Sequence, residues 1–150
     1  MTRLILILFL IYNSANGYCQ NFDKIKNSDT VYVYFKKSNA QLHYKEKTNN
    51  VNQEYDNYFF LLNCTPHGSL QFAHHYSFSP GVKYEKKSFL KKNKDLIATY
   101  EFLNLLSMEK INELLNNFKE VYIIDEEDFN NRKIKLKKIK VLGNLPNIEE

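Results

Sequence analysis

Tryptophan is absent from the chain, and cysteine, methionine, proline and glycine are scarce, at two, two, three and four residues in 150. Four glycines leave no glycine-rich loop to cradle a phosphate, and there is neither a G-x-S-x-G nucleophile elbow nor an H-E-x-x-H metal helix. Enzymes that depend on those motifs are excluded, although acid and base pairs assembled only in space leave no such trace. Beyond Leu4 to Tyr12 the chain has no other long apolar run, and that one falls short of the roughly 20 residues that cross a bilayer. The missing tryptophan accompanies abundant Lys, Asn, Ile, Phe and Tyr. Low-GC coding produces that profile, so the number of lysines by itself carries no functional demand.

What is present begins with "LILILFLIY" after Arg3, a positive start followed by a short hydrophobic segment, the form of an export signal. In Gly17-Tyr18-Cys19 small side chains alternate with a large one, which suits a signal peptidase cutting between Cys19 and Gln20. Lipoprotein processing needs a small residue just before the cysteine, so Tyr18 argues against a lipid anchor. The expected organisation is a signal peptide over residues 1–19 and a single α+β domain over 20–150, exported to the periplasm or beyond. Cys64 is then alone, and stability must come from packing, for which eleven phenylalanines and eleven tyrosines supply material. Export also removes nucleic acid as a partner. It leaves a protein or an anionic glycan or lipid surface for a chain of formal net charge +4. Asn63-Cys64-Thr65 matches a glycosylation acceptor, relevant only in a eukaryotic host.

Strand periodicity is clear in "TVYVYFK" (30–36), with Val31, Val33 and Phe35 on one face and Tyr32 and Tyr34 on the other. "QLHYKEK" (41–47) is expected to return as its hairpin partner with Leu42 and Tyr44 inward. "YDNYFFLLN" (55–63) reads as a central strand, "CTPHG" as a turn, and "SLQFAHHYSFS" (69–79) as the strand running back. Ser88, Thr99 and Ser107 are placed to cap short helices, the last carrying Met108, Ile111, Leu114, Leu115 and Phe118 at helical spacing. "EVYIID" (120–125) and "RKIKLKKIKVL" (132–142) are the last strands. The fold class expected is α+β, a mostly antiparallel sheet with two or three helices inserted before the last two strands.

The candidate chemistry is thin. Cys64, His67, His74 and His75 include possible metal ligands, but His74 and His75 are neighbours on a strand and point to opposite faces, so no metal site and no cofactor are expected. His74 falls on an apolar face with Leu70, Phe72 and Tyr76, and is the first polar residue to examine. "DEED" (125–128) lacks the spacing and the glycine of an EF-hand and reads as a solvated loop. The lysines of "RKIKLKKIK" read as the solvated face of an edge strand, with a bulge at Lys137-Lys138 returning Ile134, Leu136, Ile139 and Val141 to one core.

"DTVYVYFKK", "KSFLKKNKDLIATYEFLNL" and "VYIIDEEDFNNRKIKLKKIKV", with the signal ending "YCQ", resemble a group of small exported proteins of Bacteroidota that carries no assigned activity. The resemblance implies a bacterial periplasmic or secreted protein and supplies no site residues. The function expected is an exported binding or accessory domain without a catalytic centre, its ligand-binding candidates being His74, His75, Tyr32, Tyr34, Tyr58 and Tyr76. The alternatives are a small hydrolase-like enzyme using a strand histidine as base, and an electrostatic binder of anionic surfaces.

Overall fold

Eight strands of one sheet and four short helices account for most of the computed structural model, which describes residues 20–36, 42–50, 53–65, 68–76, 81–116, 119–130 and 132–146. Residues 1–19, and with them the cut expected after Cys19, lie outside the described residues, as do Pro66 and His67.

The chain opens with α1 (Phe22–Lys26), capped where Asn21 Oδ1 accepts from the Lys24 N–H at 3.1 Å. β1 (Thr30–Phe35), β2 (His43–Asn50), β3 (Gln53–Phe60), β4 (Gly68–His75) and β5 (Val82–Lys86) follow. Three helices come next, α2 (Ser88–Lys92), α3 (Tyr100–Asn104) and α4 (Met108–Leu114), with the two-residue strand β6 (Ile97–Ala98) between α2 and α3. Thr99 and Ser107 cap α3 and α4 by accepting the N–H groups of Phe102 and Lys110. Ser88 does not cap α2 but is its first residue, and Lys87 stands at the cap position without a side-chain bond. β7 (Glu120–Asp125) and β8 (Lys133–Pro146) complete the fold.

The strand order is β2-β3-β4-β8-β7-β1-β6, with β5 also paired to β8. Most pairs are antiparallel, whereas β1 runs parallel to both β7 and β6. The hairpin expected between 30–36 and 41–47 therefore does not form: β1 lies between β7 and β6, and β2 pairs with β3. β2 also has the opposite phase. His43 and Lys45 turn inward, Leu42 is exposed, and Tyr44 stacks on Phe59 on the outer face, centroids 4.6 Å apart.

β8 organises the sheet. Its first half pairs with β7 on one side and β5 on the other, since Lys137 stands opposite both Ile123 and Val82; its second half pairs with β4. β8 is thus central rather than an edge. No bulge interrupts its register at Lys137-Lys138. Ile139 and Val141 pack inward with Val33, Phe35, Phe60, Phe72 and the helical residues Ile25, Leu103 and Ile111. Ile134 and Leu136 pack on the opposite face with Tyr122, Ile124, Phe89 and Phe129. The sheet has an apolar cluster on each face, so the doublet needs no correction of phase. The register shift occurs further on, where Phe72 faces Val141 but Gln71 faces Gly143. Leu142 is the extra residue, and Gly143 takes φ 89°, a conformation that glycine adopts without a side-chain penalty.

The inner face curls over itself. Phe35 of β1 meets Tyr58 and Phe60 of β3, at centroid distances of 5.0 and 5.9 Å, although three strands separate β1 from β3 in the sheet. Burying a ring of this kind contributes about 2–3 kcal/mol, so this closure is an energetic centre of the fold. Among the described residues no helix is long and apolar enough to cross a membrane.

Candidate functional site

The six residues expected at a binding site lie in three places. Tyr32 and Tyr34 pack on the face opposite the inner core, under α2 and the segment after β7, Tyr32 edge-on to Phe89 and beside Tyr122, Tyr34 against Phe129. Tyr58, His74 and Tyr76 belong to the inner face, and His75 lies on the outer face, its ring edge-on to Tyr55 at 4.3 Å. As alternation demands, the two adjacent histidines part company.

Inside, Tyr58 and Tyr76 are members of a charged network that sequence reasoning missed. Lys137 Nζ lies 2.7 Å from Asp56 Oδ2, 2.5 Å from Asp128 Oδ2 and 3.8 Å from Asp125 Oδ2, and donates to the Tyr58 hydroxyl at 3.0 Å. Tyr58 in turn donates its hydroxyl hydrogen to Asp125 Oδ2 at 3.0 Å, and Tyr76 donates to Asp56 Oδ2 at 2.7 Å. Lys45 of β2 closes the network with ion pairs to Asp125 at 2.7 Å and Glu127 at 3.2 Å. Asp56, Asp125 and Lys137 are 0%, 0% and 1% exposed. "DEED" is therefore not a free loop: Asp125 ends β7 inside the fold, and the carboxylates of Asp125, Glu127 and Asp128 are engaged by lysines.

The electrostatics follow from this packing. Burial pushes the Lys137 ammonium down, but hydrogen bonds to Asp128 and Asp56 overcome it and hold it above its ordinary value. Burial pushes Asp56 up, while the bonds from Lys137 and Tyr76 and the charges of Lys137 and Lys45 bring it below the usual carboxylate range. Tyr58 is driven far above an ordinary phenol by burial and by the charges of Asp125 and Asp56. Lysine and carboxylate are both held ionised, the wrong forms for a nucleophilic amine or a proton-donating acid. The network is suited to tying β2, β3, β7 and β8 together at one end of the core.

His74 has a structural task. Its Nδ1–H donates to the Lys138 carbonyl at 2.8 Å, and the Lys138 N–H donates to the Gly81 carbonyl at 2.7 Å. Lys138 sits where the ladder with β4 has ended and that with β5 begins, so a side chain supplies a main-chain partner in place of a strand. Burial holds the imidazole below its usual pKa. His74 Nε2 and Asp56 Oδ1 are buried without a hydrogen-bond partner among the described residues.

On the outer face, at the same junction of β4, β5 and β8, the twisted sheet leaves an open groove of about 850 Å³. Its walls come from β2, β3, β4, β5, β7 and β8. Ala73, Leu142 and the Tyr55 ring supply apolar surface, and Asn57 and Thr48, hydrogen-bonded to each other at 3.1 Å, supply polar surface. Lys83, Lys138 and Lys140 stand along it with one carboxylate, Glu120. Glu120 is paired to Lys138 at 2.6 Å and lies 3.9 Å from Lys83, and these partners keep its carboxyl below the ordinary range, the Lys138 hydrogen bond foremost. Of the expected residues only His75 lines the groove.

A signal for the inner network did exist. Asp56 is in phase with Tyr58 and Phe60, Asp125 with Val121 and Ile123, and Lys137 with Ile139 and Val141. Opposite charges that continue apolar rows on different strands mark a buried pair. Groove residues carry no such pattern, because their rows are polar and apolar by turns. Protein-family models, curated proteins and solved structures yield no match to this chain, so the reading of the site rests on its geometry.

Proposed function

We propose that the protein is an exported binding domain without a catalytic centre, and that the groove on the outer face of β3, β4 and β8 is where it takes a small ligand. The observation that carries this reading is the groove itself, whose volume is within the range of ligand sites and whose walls combine apolar and polar side chains from six strands. Strands hold such a surface without reorganisation, which favours binding of a preformed shape. The hydrolase alternative is disfavoured by chemistry: His74 gives its Nδ1–H to a backbone carbonyl, and the carboxylates nearest it on the inner face are engaged by lysines.

The test is a fragment screen by ligand-observed NMR on the wild type and on Ala73→Trp, which fills the groove floor. Hits that disappear in the variant support the reading, provided its thermal unfolding remains cooperative. Hits that persist unchanged overturn it. Export is tested by expressing the full chain in a Gram-negative host and weighing the product. A mass beginning at Gln20 supports export, and an intact Met1 refutes it.

A further inference from the structure

We infer that the groove selects small amphiphilic anions, ligands with a flat apolar body and one carboxylate, sulfonate or phosphate group; this rests on the groove being the ligand site. The argument is one of charge. Three ammonium groups and one carboxylate line the groove, and that carboxylate is held by Lys138 and approached by Lys83. Lys83 is further engaged over the Tyr122 ring, 4.6 Å from its centroid. The Lys140 ammonium has neither ion pair nor hydrogen bond among the described residues. Leu142, at the bulge two residues further along β8, lines the same groove and is 48% exposed, a large apolar side chain open to it. An exposed apolar side chain and an unpaired cation lining one groove match an aromatic ring system and its anionic substituent.

A neutral ligand would cover Leu142 and Ala73 but leave Lys140 unanswered, and would gain nothing from the excess of positive charge. A highly charged polymer would be attracted to the rim yet leave the apolar floor uncovered. An anion on an apolar body uses both.

Two fluorescent probes with the same rings separate the possibilities: 8-anilino-1-naphthalenesulfonate and its uncharged counterpart N-phenyl-1-naphthylamine. Titration at low salt is expected to show the sulfonate binding at least about tenfold tighter, with the preference shrinking as salt screens the lysines. Lys140→Gln is expected to weaken the sulfonate severalfold and leave the neutral probe unchanged. Leu142→Glu, at an exposed position tolerant of substitution, is expected to abolish sulfonate binding. Equal affinity for both probes, each lost in Ala73→Trp, overturns the anion preference and leaves the groove standing as the site. Binding of either probe that is indifferent to both Ala73→Trp and Leu142→Glu overturns the groove itself, and the preference with it.

Discussion

Lys137 and Lys138 are consecutive residues of β8, and each holds a carboxylate at close to the same distance, 2.7 Å to Asp56 and 2.6 Å to Glu120. Their surroundings differ completely. The inner pair is 1% and 0% exposed, the outer pair 42% and 46%. Water solvates the outer pair almost as well apart as together, so its contribution is at most a few tenths of a kcal/mol. The inner pair has no such alternative. Removing one partner strands the other in the core, and the cost is set by desolvation rather than by attraction. Distance therefore says little about what an ion pair is worth, and the face of the strand says nearly everything.

The strongest way to break this comparison is Lys137→Met, which leaves Asp56, Asp125 and Asp128 without their shared cation. Unfolding in urea is expected to show a loss of about 3–5 kcal/mol, with Asp56→Asn in the same chain restoring part of it. A loss no larger than that of Lys138→Ala would mean that the inner network is solvated after all.

The pH dependence sharpens the contrast next. His74 is depressed in the folded state, so between its folded value and the ordinary value near 6.5 the unfolded chain binds the proton and the folded chain does not. Stability should accordingly fall as pH drops from about 6.5, by up to about 1.4 kcal/mol per unit for one proton. Asp56 is depressed too, so its contribution persists to lower pH and is lost below about 4, as the carboxyl protonates. In His74→Gln the first decline should vanish and the second remain, as read from thermal midpoints between pH 3 and 8.

Gly143→Ala probes the bulge that ends the ladder beside the groove. A Cβ there would touch nothing within 4 Å, so the expected loss of about 1 kcal/mol in denaturant unfolding is purely the cost of φ 89° for an alanine. Lys138→Ala should have the smallest effect, within about 0.5 kcal/mol, and that effect should disappear in 0.5 M salt.

Legibility in the sequence followed the same division. The alternation of Val31, Val33 and Phe35 against Tyr32 and Tyr34, the β3–β4 hairpin, and the caps at Thr99 and Ser107 all depend on residues close in sequence, and all are present. Proximity in sequence favours a hairpin for β1, whereas its apolar rows on both faces suit the strand flanked by β7 and β6 that the structure shows. The inward phase of β2 is hidden from its local sequence, because an inward lysine makes sense only opposite Asp125, eighty residues away. The bulge expected at Lys137-Lys138 presumed one core where the fold has two.

By itself, then, the amino-acid sequence determined the local periods, the turns and caps, the mixed α and β character and the supply of aromatic packing material, because each is written within a few residues. Only the tertiary structure decided which lysine is buried, which strands flank β1, and where the groove opens. Those depend on which strands become neighbours, and burial gives the same side chain a different energy on each face.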